Sequence, residues 1–329
     1  MRVDRGLAGD PAAASHGRAG TVASIGNFDG VHRGHRRILD AVVAGAQRVG
    51  AEPAVVTFEP HPRCVLDPPH CPEAITLLDE KAELLAQAGV LRLVVLEFSV
   101  AMSRWSAAEF CARLHAALHL RALVVGEGFA FGHRRQGHVD FLRAWGAGHD
   151  VDVTVVEPLA DGGGAISSSR IRGALALGDL DGAAHLLGVP YSVAGTAEPA
   201  ARDGTGGGPS GQLWVPGAKA LPAAGRYAAW LRVRDSWLGG VVGIGSRMRP
   251  GEPVGLAARL LEGRGESLPR TLRCIPLERL PDIAGGGEAT AEAPGLDVEA
   301  MASARRVLAV RRPPAPALQP ASRALPGER

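Results

Sequence analysis

Two histidines three residues apart, His32 and His35, close the run Ile25-Gly26-Asn27-Phe28-Asp29-Gly30-Val31-His32-Arg33-Gly34-His35. Imidazoles at that spacing offer N–H donors to an anion, and Gly34 between them lets a ligand approach the backbone. An apolar run, Thr21–Ile25, precedes the turn and reads as a buried strand. Over 36–49, Ile38, Leu39, Val42, Val43, Ala46 and Val49 recur at helical spacing. A strand, a glycine-punctuated turn and a helix start gather free backbone N–H groups and the positive end of a helix dipole at one point. That combination suits a nucleotide triphosphate. His-x-Gly-His alone is a weak signal, because histidines at a helix start also serve as a cap and a surface side chain.

Three further segments carry candidate chemistry. Thr57-Phe58-Glu59-Pro60-His61-Pro62-Arg63 closes a second strand-like run, and its two prolines make a rigid exit from which His61 and Arg63 could face a ligand. By itself it also reads as a stiff loop with solvated charges. Residues 126–137 follow a later strand; their glycines let the chain curl, Phe129 and Phe131 could pack beside a planar ring, and Arg134 and Arg135 are positive. The alternative is a loop anchored by two buried phenylalanines. Ile166-Ser167-Ser168-Ser169-Arg170-Ile171-Arg172 opens a helix with hydroxyls, N–H groups and two arginines, a second anion site. A plain N-cap accounts for one serine, not for three with both arginines.

The elements that must position these residues follow from pattern. Apolar runs at Thr21–Ile25, 54–58, 91–98, 122–126 and 151–156 alternate with helical patterns over 36–49, 78–88, Ala107–Leu118 and 137–145. Strands nearly continuous in Val, Leu and Ala belong to a parallel sheet covered on both faces. The expectation is a doubly wound α/β domain with its ligands at the carboxyl ends of the strands, where all four segments fall in succession. From Tyr191 the pattern changes. Residues 199–210 are rich in Gly, Pro and Asp and read as a loop; short runs at Gly225–Val233, 238–244, 254–261 and 271–276 suggest a small antiparallel barrel or sandwich. Residues 281–294 read as a loop, 297–310 as a terminal helix and 311–329 as a disordered proline-rich tail.

Composition sets outer limits. At 329 residues the chain is long enough for two domains, and 46% apolar with 21% charged residues is an ordinary globular balance. A net charge of +2 gives no pull toward nucleic acid or an anionic membrane, and two Tyr with seven Phe leave few stacking platforms for single strands. The four cysteines, Cys64, Cys71, Cys111 and Cys274, include no CxxC pair, which argues against structural zinc and a disulfide scaffold and for a reducing compartment. Residues 1–20 lack an apolar signal core and read as a disordered terminus, and no run approaches a membrane span. A cytoplasmic protein is expected.

The runs GNFDGVHRGH, TFEPHPR, FAFGHRRQG and ISSSRIR, with Gly178-Asp179 and Leu186-Leu187-Gly188-Val189-Pro190-Tyr191 after them, resemble the bacterial bifunctional riboflavin kinase/FAD synthetase family. Ile75-Thr76 to Lys81 and Ser106-Ala107-Ala108-Glu109-Phe110 fit the same family, so the resemblance covers 21–191. It implies a Rossmann-like nucleotidylyltransferase domain over 21–190 and a riboflavin kinase-like β-barrel with its helix over 191–310. It also implies a reaction: FMN and ATP, with Mg²⁺, give FAD and pyrophosphate. Alignment and charge stabilisation then dominate the chemistry. By the resemblance, His32 and His35 serve the triphosphate and the charge developing at the α-phosphoryl group. Gly26, Asn27, Phe28, Asp29 and Gly34 form the turn that places the nucleotide or metal. Ser168, Ser169 and Arg172 hold the leaving phosphates, while His61, Pro62 and Arg63, with Phe129 and Phe131, lie toward FMN.

Two departures from the family pattern stand out. Gly128 occupies a position where the family carries Asp or Asn, which removes a hydrogen-bond partner worth roughly 1–3 kcal/mol if a ligand group is left unpaired. In the second half, the family's Pro-Thr-Ala-Asn segment best matches Pro216-Gly217-Ala218-Lys219, and its general-base glutamate falls near Ala257. Losing a base removes about 10²–10⁴-fold from such a step. The expectation is a working adenylyltransferase beside a degenerate kinase barrel. A paralogue using a modified flavin or another nucleotide, and a non-catalytic flavin or nucleotide binder, remain as alternatives. Small-molecule substrates, and neither nucleic acid nor membrane, are the expected partners.

Overall fold

The computed structural model describes residues 1–7, 20–200, 208–245, 251–262, 268–281, 296 and 298–314. They form two compact units, 1–168 and 169–329. The first contains β1(Arg2–Arg5), β2(Thr21–Ile25), α1(Arg33–Val49), β3(Glu52–Glu59), α2(Pro62–Leu66), α3(Leu78–Gln87), β4(Arg92–Glu97), α4(Ala107–Leu118), β5(Leu120–Gly126), α5(Val139–Ala147) and β6(Asp152–Val156), with a small hairpin β7(Ala160–Asp161)–β8(Gly164–Ala165). Strands β1 to β6 make one parallel sheet in the order β1-β4-β3-β2-β5-β6. The chain therefore winds outward from β2 to β4, then crosses back to β5 on the other side. Such a reversal opens a crevice at the carboxyl ends of the central strands, and β3, β2 and β5 are the strands that end in the candidate segments.

Alternation along each strand feeds a core on both faces. Val56 joins Ala23, Ile25 and Leu123 against Phe110 and Leu114 of α4, while Val55 joins Leu93 against Phe28, Leu39 and Leu85. The doubly wound α/β architecture is as the sequence pattern implies.

The N-terminus is a correction. Residues 1–20 were expected outside the fold, yet Arg2–Arg5 is the edge strand of the sheet, paired in parallel with β4. Its register is held by charge: Asp4 Oδ2 lies 2.7 Å from Nε of the buried Arg92, and Glu52 lies 3.9 Å from that guanidinium. A four-residue strand without hydrophobic alternation leaves no pattern to read. Residues 8–19 lie outside the described set. Asp4→Ala leaves a buried guanidinium short of its nearest carboxylate and is expected to lower stability by about 2–3 kcal/mol. Urea unfolding of the two proteins measures this, and midpoints that coincide would disprove it.

The cysteines are a second correction. Cys64 and Cys71 are joined by a disulfide, while Cys111 and Cys274 are free and buried. The short α2 and the turn Pro68–His70 fold the loop back on itself, so two cysteines seven apart meet without any CxxC pattern. Cysteine usage thus carries no argument about compartment.

The second unit holds α6(Ser168–Leu177), α7(Leu180–Leu187), β9(Val193–Pro199), β10(Ser210–Gly217), β11(Gly225–Val233), β12(Ser236–Ile244), β13(Gly251–Leu260), β14(Thr271–Arg279) and α8(Val298–Val310). Its strands close into an antiparallel barrel, β10-β13-β12-β11-β14-β9. Of barrel and sandwich, the barrel is correct. The unit begins at 169 rather than 191, because α6 is tied to it: the Ala223 N–H donates to Leu175 O. Helix α8 packs Ala300, Met301, Ala304 and Leu308 on Ala228 and Val241. Arg311, expected as the first residue of the tail, instead grips Asp181 with two bonds of 2.9 Å. The expected loop 281–294 beyond Pro281, and the tail beyond Pro314, lie outside the described residues. No described helix is long and apolar enough to cross a membrane.

Candidate active site

Helix α1 begins at the His-x-Gly-His run because His32 is its N-cap: His32 Nδ1 accepts the His35 N–H at 3.2 Å. The spacing of three is the cap-to-N3 spacing, so one ring nitrogen of His32 is spent on the helix. A neutral His32 then carries its proton on Nε2, which becomes a donor. The His32 and His35 rings stack with centroids 3.6 Å apart. A Cβ at Gly34 would stand 3.2 Å from the His32 ring, so this glycine makes room for that stack as well as for a ligand. His35 Nδ1 is buried with no hydrogen-bond partner among the described residues.

Burial pushes the His32 pKa down to about 4, against the opposing pull of the Asp29 carboxylate. Burial also carries His35 well below the ordinary histidine range, helped by the charges of His32 and Lys81. Both rings are therefore neutral near pH 7. In the unfolded chain His32 protonates below its ordinary value of 6.5, so between 6.5 and about 4 the unfolded state holds more protons. Stability is expected to fall as pH drops through that window, by about 3 kcal/mol from His32 alone, and to be insensitive to this group above it. Urea unfolding at pH 7, 5.5 and 4.5 checks the sign. His32→Asn, which keeps a cap but does not titrate, should show a shallower decline than the parent protein.

The strain of the turn is not where its glycines suggest. Phe28 and Val31 take φ values of 47° and 42°, a region costly for a β-branched residue. Both side chains are buried, Phe28 in the core around Leu39 and against the His35 ring at 5.0 Å. Phe28, read among the ligand contacts, is thus a core anchor that reaches the site through its backbone and through His35.

Asp29 likewise works inward. Its carboxylate accepts the Ile75 N–H (3.1 Å), the Thr76 N–H (3.0 Å) and the Thr76 hydroxyl (3.3 Å). Thr76 Oγ1 in turn accepts the Gly30 N–H at 2.9 Å. A carboxylate occupied on both oxygens is a brace for the turn, not an open metal ligand. Among the described residues no group of three His, Cys, Asp or Glu could cage a metal ion.

Two other segments reach this turn. The Asn27 side-chain amide lies 2.9 Å from His61 Nε2, which joins the turn after β2 to the exit loop of β3. His61 caps α2 by accepting the Arg63 N–H on Nδ1 at 3.1 Å, so a neutral His61 has its proton on Nε2; the structure places Asn27 Nδ2 against it, and two donors facing each other assign the Asn27 amide turned by 180°, with its oxygen accepting that proton. Pro62 opens α2, and Arg63 is exposed, 3.6 Å from Asp67. Ser168 Oγ donates to Asp29 O at 2.9 Å. Ser169 and Arg172 stand in the first turns of α6 with the second unit.

Phe129 and Phe131 stack on each other at 5.2 Å and pack, half-buried, into the core with Phe110 and Phe141. Gly128 has an ordinary backbone and open space where a Cβ would be, so its missing side chain has no steric cause. Thr57 and Lys81 are part of the site; both lie in segments that the sequence singles out, but without a role for either side chain. Thr57 is fully buried and donates to Asn27 O at 3.2 Å, and Lys81 Nζ lies 3.4 Å from Thr57 Oγ1. A lone lysine on an amphipathic helix reads as a solvated charge, and only burial marks it otherwise.

The FAD synthetase family model matches residues 15–170, which takes in β2 to β6 and the turn, exit-loop and serine segments. A bifunctional riboflavin kinase/FMN adenylyltransferase of Listeria monocytogenes is 33% identical over 226 residues, 68% of this chain and 72% of that protein. The chain belongs to this family. The protein of the same description from Pseudomonas fluorescens is 40% identical over 177 residues, 54% of this chain and 57% of its own length. This chain therefore spans little more than half of that relative. A crystal structure titled as a macrolide-efflux protein from Streptococcus pneumoniae has the same fold, with a TM-score of 0.74 at 23% identity over 88% of this chain and 93% of that one.

Proposed function

We propose that the first unit transfers AMP from ATP to the phosphate of FMN, giving FAD and pyrophosphate. The observation that carries this is the His32–His35 pair: two stacked, neutral imidazoles at a helix start, with His32 Nδ1 spent on the helix cap and its Nε2 left to donate. In-line attack of the FMN phosphate on the α-phosphorus forms one P–O bond and breaks the bond to the leaving pyrophosphate. Donors fixed where that charge develops need no reorganisation and act in low dielectric. His32, His35 and the α1 N-terminus take the triphosphate in this reading, with Ser168 on the leaving phosphates. Gly26, Asn27 and Gly34 belong to the turn that places the nucleotide, and His61, Pro62, Arg63, Phe129 and Phe131 bound the flavin side. Mg²⁺ enters as part of the ATP substrate, held by phosphate oxygens and water, since Asp29 is already satisfied. A cytoplasmic location accords with such substrates.

The barrel, in the same proposal, has lost riboflavin kinase activity. Lys219 of the Pro216-Gly217-Ala218-Lys219 segment is buried, its ammonium 4.9 Å from the Tyr191 ring, a cation where the family pattern has a metal-binding amide. Ala257 lies in register with Gln212 and Gly243, so no carboxylate stands at the expected base position. The test is one set of incubations: protein and Mg²⁺ with ATP or CTP, and with riboflavin or FMN, products separated by chromatography. FAD from ATP and FMN, with no FMN from riboflavin, is expected. Absence of FAD overturns the first proposal and FMN from riboflavin the second; product from CTP would favour the paralogue that Gly128 keeps open.

A further inference from the structure

Among the described residues of the first unit the buried Lys and Arg side chains are Lys81 and Arg92; Arg92 is paired with Asp4, whereas Lys81 closes the family-like 75–81 segment with no role assigned to it. It sits on the core side of α3, and among the described residues its side chain has one hydrogen bond, to Thr57 Oγ1. Burial lowers its pKa, and the charges of Asp29 and Glu59 pull it back up. Taking an ammonium out of water is costly, and an apolar side chain of the same length would pack there at less cost. The contact it makes explains its use. Lys81 donates to the Thr57 hydroxyl oxygen, Thr57 donates its proton to Asn27 O, and the Asn27 side chain meets His61. A short relay thus runs from α3 through the end of β3 to the junction of the phosphate turn with the exit loop. The remaining braces of the turn, Asp29 on Ile75 and Thr76, Thr76 on Gly30 and Ser168 on Asp29 O, do not pass through it.

We infer that Lys81 is a positioning residue for the transfer: through Thr57 it fixes Asn27 and His61, so that the phosphate turn and the flavin-side loop keep one spacing. This rests on the adenylyltransferase reading. Because the other braces survive its loss, the nucleotide side should keep its affinity while the acceptor side loses alignment.

The test uses the full chain and the variants Lys81→Met, Thr57→Val, Thr57→Ser and the double variant Lys81→Met/Thr57→Val. Misalignment of about an ångström at a reacting centre costs 10- to 100-fold in rate. The KM for FMN in Lys81→Met is expected to rise about tenfold and kcat to fall, with binding of a non-hydrolysable ATP analogue within about threefold of the parent. The double variant should be no worse than Lys81→Met, since both break one relay, and Thr57→Ser should restore function to Thr57→Val. Histidine ¹H–¹⁵N spectra report on the junction without any substrate: the His61 Nε2 proton is expected to exchange faster in Lys81→Met and Thr57→Val, but not in Thr57→Ser. An unchanged His61 signal in both, or equal losses toward ATP analogue and FMN with additive single variants, would overturn the inference. If the parent protein makes no FAD, the adenylyltransferase reading fails, while the His61 spectra still decide the relay.

Discussion

His35→Ala is expected to cut FAD formation by roughly 10²–10³-fold, the usual cost of removing one fixed donor from a developing anion. The residue itself caps nothing, so its loss should leave the start of α1 in place: the His35 backbone N–H, which His32 Nδ1 accepts, is untouched by the change. His32 carries two tasks and needs two variants to separate them. His32→Ala loses the cap, worth about 0.5–2 kcal/mol, together with the Nε2 donor. His32→Asn retains a good N-cap and loses only the donor. Asparagine should therefore restore stability without restoring turnover. Steady-state rates by product chromatography, beside urea midpoints, read both effects. Rates within threefold of the parent in His35→Ala and His32→Asn would remove the pair from the chemistry.

Asp29→Ala is expected to show the largest effect on stability, and its activity should fall as a consequence. Removing the carboxylate strands the Ile75 and Thr76 N–H groups, the former fully buried, and unfixes the Thr76 hydroxyl that receives the Gly30 N–H. Each stranded donor costs about 1–3 kcal/mol, for a total of about 2–6 kcal/mol. Strain in the turn adds a second reason. Phe28 and Val31 hold left-handed backbone only while their side chains stay buried and Asp29 between them stays anchored. Asp29→Asn keeps one acceptor oxygen and should fall between the two. It also removes a charge that sustains the Lys81 ammonium, so its effect should not add to that of Lys81→Met. Urea unfolding of the single and double variants measures both statements; an Asp29→Ala protein as stable as the parent would show that the turn is held by other means.

The corrections have particular causes. Arg2–Arg5 pairs at a sheet edge through Asp4 and Arg92, residues 88 apart, and no local pattern announces a partner at that distance. Residues 210–217 contain Gly211, Trp214 and Pro216 and did not read as a strand, yet pairing to β9 and β13 on both sides makes them one. Cys64 and Cys71 meet only because two short helical turns reverse the loop between them. Phe28 looked like part of the binding turn, and its burial depends on Leu39, Val55 and Leu85 from three other elements.

What the amino-acid order determined by itself is local and chemical. Apolar runs alternating with helical periods made a parallel α/β layer and then an antiparallel one, and His-x-Gly-His placed a cap and a donor at a helix start. Periods of two and of 3.6 are properties of neighbouring residues, so they survive without the fold. Only the tertiary structure decided which donors are free, which charges are buried and which segments touch. It placed the turn beside His61, filled both oxygens of Asp29 with backbone N–H groups and drew Lys81 under Thr57. Burial and hydrogen bonding depend on what other parts of the chain bring to the same point. The His32–His35 turn is therefore legible as a candidate from sequence, and it becomes a site of neutral donors only once the fold has excluded water from it.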